Sequence, residues 1–169
     1  MAVSWGKGDP KKDEISLVLL DEAGRLREHD QLENLSDDSN RNLFMDLLKR
    51  RKPDVIVVAG YTIQTAKLSQ QVKSILKGQN GESSNTTWGD TDRNEQSMDI
   101  PVMYIQDEVA RIYQHSKRAE DEFSALPLTA KYCVGLARYA QSPLNEYAAL
   151  GSDLTAISFD DEAQQLVRI

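Results

Sequence analysis

The sequence is poor in the residues that form cross-links and thiolate metal sites. It contains one cysteine, Cys133, which excludes an intramolecular disulfide and any zinc site built from several cysteines. The chain also has only two histidines, His29 and His115, and neither forms a recognisable nucleophile motif with a cysteine or serine. Cys133 lies in the middle of a predicted helix, so we expect a buried structural thiol in an intracellular protein.

Long apolar runs and an excess of basic charge are also absent. No stretch approaches the roughly 18 apolar residues that span a membrane, and no secretory signal pattern precedes the first strand. The 27 acidic and 20 basic residues give a net charge of −7. This balance disfavours a protein whose main task is to neutralise nucleic-acid phosphates, although a small basic face remains compatible with it.

The chain has enough apolar residues to form one ordinary domain. It has 169 residues, of which 40% are hydrophobic. The first strand begins almost at residue 2, and the sequence ends inside the acidic, helix-like segment "DDEAQQLVRI". We therefore expect a domain that belongs to a longer protein, with the domain at 1–150 and an extension toward the next domain at 151–169.

The order of hydrophobic patterns predicts a mixed α/β fold. Three closely spaced strands are followed by an amphipathic helix that starts at "DDSN", with Ser39 or Asp38 as its N-cap. An uninterrupted apolar strand then follows at 54–60, and a second helix starts at 62. A further strand lies at 100–105, and a helical region runs from 107 to about 149. This order indicates a five-stranded ribonuclease H-like sheet, three strands antiparallel and the rest in parallel βαβ units, with helices on both faces.

Three segments carry further expectations. Residues 79–99 are rich in Gly, Ser, Asn and Asp, and predict a mobile, disordered insertion. The basic cluster "KRRK" at 49–52 fits either a helix end or a phosphate-binding patch, and the helix end is the stronger interpretation. Gly135, with Ala137 and Ala140, predicts a close approach between the last long helix and a neighbouring element.

The last third of the chain carries a family resemblance. "DEVARIYQHSKRAEDEF" and "LTAKYCVGLARYAQSPLNEYAAL", with "SWGKGDP" and "LDEAGRLREH" near the start, resemble the YqgF/RuvX-type, Holliday-junction-resolvase-like domain of the Tex family. They are most similar to its eukaryotic branch, the suppressor-of-Ty transcription elongation factors and histone chaperones. The resemblance implies a ribonuclease H-like domain in a nuclear protein that works with RNA polymerase II and histones on chromatin. It also implies neighbouring domains outside this sequence and, at most, weak contact with nucleic acid.

The resemblance also implies where a nuclease of this fold would carry its metal-binding carboxylates. The strand 1 position is interpreted as Trp5, which cannot bind Mg²⁺, and Asp9 in the following turn is a weak substitute. The central strand exits into 60–62 without a carboxylate, and the final long helix has no aspartate. Only the pair Asp107 and Glu108 remains, and both also suit the start of a helix, as N-cap and as dipole partner.

We therefore predict a catalytically inactive scaffold and interaction domain without a metal or cofactor. Its partners would be other domains of the parent protein, the RNA polymerase II elongation complex and histones. Lys117 and Arg118, in the charged segment "HSKRAEDEF", are candidates for an interaction surface. The alternative is a nucleic-acid-binding or structure-selective nuclease domain with relocated metal ligands.

Overall fold

The computed structural model describes residues 1–6, 9, 12–60, 62–78 and 98–156. In chain order, the strands β1 to β5 are Ala2–Ser4, Ile15–Leu20, Leu26–Leu32, Ile56–Val58 and Val102–Tyr104. The helices α1 to α6 are Asp38–Arg51, Gln64–Leu76, Glu108–Tyr113, Lys117–Phe123, Leu128–Gln141 and Pro143–Leu150. A short 3₁₀ helix, Gly151–Ala156, follows α6.

The five strands form one sheet in the order β3-β2-β1-β4-β5. The β1–β2 and β2–β3 pairs are antiparallel, whereas β4 pairs in parallel with both β1 and β5. Val3 illustrates the central place of β1, because it lies opposite Leu17 on one side and Val58 on the other. The sheet confirms the mixed arrangement predicted from the order of patterns.

Helices cover the sheet on both faces and enclose two separate cores. On one face, apolar residues of α1 and α2, such as Phe44 and Leu68, pack with Val3 and Trp5 of the β1 segment. On the other, residues of α3 and α5 pack with Ala2. Side chains on a strand point alternately to the two faces, so this division fixes where each β1 residue points.

The α1 helix differs from the prediction at its start. The N-cap is Asp37, not Ser39 or Asp38, and its carboxylate accepts a hydrogen bond from the Asn40 amide at 3.4 Å. The reason lies upstream, where Asn34 Oδ1 accepts from the amides of Ser36 and Asp37 and closes a turn that ends at Asp37. The side-chain amide of Asn34 therefore sets the helix start.

The basic end of α1 is engaged in the fold. Arg50 and Arg51 both form ion pairs with Glu28 of β3. Lys52 ends the helix in the left-handed region at φ 44°, and its amide donates to the Leu48 carbonyl. These contacts agree with the helix-end interpretation of the basic cluster, because two of its four side chains are neutralised within the domain.

Parts of two predicted segments lie outside the described residues. Of the predicted insertion at 79–99, only Met98 and Asp99 are described, and the amide of Met98 donates to the Leu76 carbonyl. Of the extension at 151–169, only the 3₁₀ helix is described. Within the described ranges, no helix has the length and apolar character needed to cross a membrane.

Candidate functional site at the carboxyl end of the sheet

A cleft of about 560 Å³ lies beside the carboxyl end of β1. Ligand sites in sheets with parallel strands commonly lie at this edge, because the strand ends and the following loops converge there. The segment after β1, the end of α3 and the first turns of α5 supply its walls, which include Gly6, Asp13, His115, Thr129 and Tyr132. Asp107 does not line this cleft, but its hydrogen-bond partner Tyr132 does.

Asp107, just after β5, is held by two partners. Its Oδ2 accepts a hydrogen bond from the Tyr132 hydroxyl at 2.9 Å, and its Oδ1 pairs with the Arg111 guanidinium at 3.4 Å. It stands at the N-cap position of α3, but its side chain makes no capping hydrogen bond, which corrects the capping role considered from the sequence. The carboxylate instead ties β5 to α5 through the tyrosine.

Glu108 lies in the first turn of α3. Its negative charge acts toward Tyr147 of α6. The pKa of Tyr147 is raised to about 12, mainly by its hydrogen bond with Tyr139 and by burial, with smaller contributions from charges that include Glu108. Asp107, by contrast, is bonded to Tyr132 and paired with Arg111.

Trp5 lies on the other side of the sheet from this cleft's helices. Its indole belongs to the core beneath α1 and α2, and its Nε1 donates to the Asp13 carbonyl at 3.0 Å. By strand alternation, Ser4 points toward α5, where it is fully buried and its Oγ accepts from the Gly6 amide at 3.2 Å. The residue at the end of β1 on the Asp107 side is thus a neutral serine.

The acidic residues after β1 form a turn. The Asp9 amide donates to Asp13 Oδ2 at 2.9 Å, and the Asp13 amide donates to the Asp9 carbonyl at 2.8 Å. Lys12 lies 4.0 Å from the Asp9 carboxylate. These reciprocal bonds give Asp9 and Asp13 a role in holding the turn, and four other residues of the segment, at 7–8 and 10–11, lie outside the described part of the chain.

Taken together, the residues do not fit a catalytic metal site. Oxygen-rich magnesium sites in nucleases require several carboxylates that converge on the ions. Across the described ranges, no group of three or more His, Cys, Asp or Glu side chains is arranged to hold a metal. The buried face of α5, which includes Cys133 and Gly135, carries no carboxylate.

The thiol of Cys133 is also unreactive in the folded domain. The thiol is fully buried and donates to the Ser16 carbonyl at 3.6 Å. Burial raises its pKa far above the ordinary thiol value, so the reactive thiolate is not formed near neutral pH. The expectation of a structural thiol agrees with this environment.

The two residues proposed as an interaction surface have different environments. Lys117 is exposed, whereas Arg118 pairs with Glu122 at 3.1 Å and with Glu146 at 3.0 Å. The Arg118 guanidinium also lies 5.4 Å from the centre of the Tyr113 ring. Arg118 therefore connects α4 to α6 and α3, so only Lys117→Glu would test this surface without breaking a contact within the domain.

The comparisons with known proteins decide the family. Residues 1–151 match the family model described as YqgF, Holliday-junction resolvase-like of SPT6. The chain belongs to this family. The match confirms the resemblance noted in the sequence, and the mixed sheet agrees with the ribonuclease H-like fold of a YqgF domain.

Individual relatives match along nearly the whole chain. The transcription elongation factor SPT6 of Mycosarcoma maydis is 40% identical over 188 residues, covering 98% of this chain and 11% of the relative. Spt-6 of Neurospora crassa is 39% identical over 170 residues, covering 98% and 12%, and spt6 of Schizosaccharomyces pombe is 39% identical over 160 residues, covering 95% and 10%. The chain thus spans about a tenth of the length of these relatives.

Two features of this YqgF domain escaped prediction. The orientation of Ser4 could have been found from alternation, because Val3 is apolar and Trp5 shares its face. The bond from Tyr132 to Asp107 had no local signal, since 25 residues separate the partners. Only the packing of α5 on the sheet brings them together.

Proposed function

We propose that this chain is a non-catalytic ribonuclease H-like domain of a transcription elongation factor, where it acts as a scaffold and interaction module. The names of its relatives support the assignment to a transcription elongation factor, and the geometry of the site supports the lack of catalysis. The observation that carries the proposal is the pairing of Asp107 with Tyr132 and Arg111, together with the neutral Ser4 at the end of β1. A carboxylate held in this way is a structural link.

The helical face supports the scaffold role. Arg138 of α5 pairs with Glu122 of α4 at 2.7 Å and donates to the Gly24 carbonyl at 3.0 Å. Arg118 connects α4 to Glu146 of α6. Networks of this kind, in which half-buried charges are paired and hydrogen-bonded, hold helices in one arrangement. A fixed arrangement is what a domain needs to position its neighbours.

The parent factor would work in the nucleus, with RNA polymerase II and histones on chromatin. The net charge of −7 supports basic proteins over nucleic acid as direct partners of this domain, because the overall potential repels phosphates. The other domains of the parent factor would be its immediate neighbours. These assignments rest on the family and on charge.

Cleavage assays test the lack of catalysis. The purified chain is incubated with branched DNA and with RNA–DNA hybrids in Mg²⁺ or Mn²⁺, beside Asp107→Ala and the matched variant Asp121→Ala, which removes an exposed carboxylate from α4. We expect no cleavage above the buffer level with any of the three proteins. Metal-dependent cleavage that is lost in Asp107→Ala and kept in Asp121→Ala would establish the alternative, a nuclease with relocated ligands.

A further inference from the structure

The outer edge of β5 is an open side of the sheet. β5 is the last strand in the sheet order, and among the described residues no strand lies beside it on the side away from β4. Backbone N–H and C=O groups at such an edge are free to pair with another chain. This edge is therefore a place where a further strand can be added.

The register of β5 fixes which of its backbone groups face outward. The Ile56 amide donates to the Pro101 carbonyl at 2.9 Å, and Ile56 lies opposite Val102. In a parallel pair, every second residue directs its backbone groups to the neighbouring strand, so Pro101 and Met103 face β4. The N–H and C=O groups of Val102 and Tyr104 consequently point away from the sheet. Pro101, which has no N–H, falls on the side toward β4 and leaves the outer donors intact.

The two edges of the sheet are protected to different degrees. At the other edge, β3 has the sequence "LREHDQL", in which four of the seven side chains are titratable. Residues 100–106, "IPVMYIQ", contain no charged side chain. Charged side chains are a main device by which edge strands avoid pairing with another chain, and of the two edges only β3 has them.

Two apolar side chains of β5 are left exposed. Met103 is 52% exposed and Tyr104 is 61% exposed. Because they are neighbours in a strand, one lies on each face of the sheet. A strand paired with the outward groups of Val102 and Tyr104 would cover part of both side chains with its own alternating side chains. Backbone pairing and apolar contact thus favour the same kind of ligand, an extended peptide segment.

Acidic residues stand at both ends of this edge. Asp99 precedes the strand and is exposed, and Glu108 follows it in the first turn of α3. The net charge of −7 adds to the negative potential around them. Basic side chains at the two ends of a bound segment would complement these carboxylates.

We propose that the outer edge of β5 binds an extended segment of a protein partner, apolar in its middle and basic at its ends, as an added strand. The open backbone groups of Val102 and Tyr104 give the segment its direction, and the exposed Met103 and Tyr104 give it apolar contacts. The inference rests on the proposed role of the domain as an interaction module, and it assigns that role to a defined surface.

Hydrogen exchange followed by NMR tests the proposal at single amides. The ¹⁵N-labelled chain is measured alone and with a capped nonapeptide that has two lysines at each end and alternating valine and threonine between them. In the free chain, the protection factors of Val102 and Tyr104 should be at least about tenfold lower than that of Met103, which faces β4. Saturating peptide should raise these two protection factors about tenfold or more and change that of Met103 much less, because only the outward amides gain partners.

Matched peptides separate strand addition from charge attraction. The same peptide with its five central amides N-methylated keeps its charges and side chains but loses the backbone donors, so it should bind at least about tenfold more weakly. A peptide with glutamates in place of the lysines should also bind at least about tenfold more weakly, because it meets Asp99 and Glu108 with like charges.

Matched variants test the position of the site. Met103→Lys places a charge on the edge and should weaken binding of the lysine peptide by at least about tenfold. Leu144→Lys makes the same change of charge at an exposed apolar residue of α6 and should alter the affinity less than about twofold. Asp99→Asn should lower the affinity by about threefold, whereas Asp46→Asn, at an exposed position of α1, should alter it less than about twofold. All four variants replace exposed side chains, so the fold should be kept.

Four results would overturn the proposal. Outward amides that are as protected as Met103 in the dilute free chain would show that the chain covers its own edge. Protection that rises with protein concentration in the absence of peptide would assign the edge to a second copy of the chain. Equal binding of the N-methylated peptide would show charge attraction without an added strand, and equal losses within a pair of matched variants would place the site elsewhere. None of these results bears on cleavage of nucleic acid, so this proposal can fail while the non-catalytic role stands.

Discussion

Replacing Gly135 by alanine would introduce a methyl group where α5 packs against α3. A Cβ at this position would lie 2.8 Å from Cδ1 of Tyr113, 3.2 Å from Cβ of the same residue and 3.2 Å from the backbone Cα of Ala110. Distances under about 3.4 Å between carbon atoms are repulsive, since the optimum is about 3.5–4.0 Å. Either the helices must separate or the tyrosine ring must move.

The ring has little freedom to move. Tyr113 is 2% exposed, its hydroxyl accepts from Arg138 Nη1 at 3.3 Å, and the guanidinium of Arg118 lies against its face. Overpacking in such a core costs about 1–3 kcal/mol. Alanine in place of glycine regains about 1 kcal/mol of helix propensity. Because the contacts include a backbone atom, we expect the steric cost to exceed the gain in helix propensity. The free energy of unfolding should therefore fall by about 1–2 kcal/mol.

Urea denaturation followed by circular dichroism measures this change. For a domain of this size, each kcal/mol corresponds to about 2–4 °C in Tm, so calorimetry should show a matching decrease. The control is the same substitution in a Tyr113→Leu background, where the contact with the ring is gone and the penalty should shrink. If Gly135→Ala is as stable as the wild type, helix propensity decides this position and the close packing described here is wrong.

The remaining predictions concern two titratable groups. The thiol of Cys133 should not react with Ellman's reagent in the native protein, and should react fully in urea, because burial raises its pKa and blocks access. Burial lowers the pKa of His29 in the folded state, so the unfolded state binds more protons near the ordinary histidine pKa of about 6.5. The free energy of unfolding should therefore decrease as the pH falls through that value and level off below the lowered pKa, and His29→Gln should remove this component.

For each of these two predictions, one result would contradict the reasoning. Rapid labelling of Cys133 without denaturant would mean that α5 opens from the sheet under native conditions. For His29, the informative quantity is the difference between wild type and His29→Gln in urea midpoints from pH 5 to 7.5, because other groups titrate equally in both. A difference that does not depend on pH would show that the folded state tolerates the charged ring.

The sequence was sufficient for the fold because its periodic segments are long and distinct. The apolar run at 54–60 predicts the strand that the structure has at Ile56–Val58, and the apolar stripe of α2 predicts a helix. The C-terminal block carries the family resemblance. Helix starts were harder to predict, because Asp37, Asp38 and Ser39 are all good caps. The choice depended on an upstream turn held by Asn34.

Only part of the candidate site could be predicted from the sequence. The scarcity of carboxylates could be predicted from the sequence, because this prediction requires only the residue types at the positions where ligands are expected. The partners of Asp107 could not, because Tyr132 reaches it only after α5 packs on the sheet.

The central position of β1 has a consequence for how the domain is made. Of the five strands, β1 is synthesised first. Its parallel neighbour β4 ends at Val58, and α5, which covers one of its faces, ends at Gln141. At about 5–20 residues per second, translation leaves the apolar β1 segment without its partners for several seconds or more. The middle of the sheet is therefore completed late, because β1 gains its last covering helix only after α5 has been made.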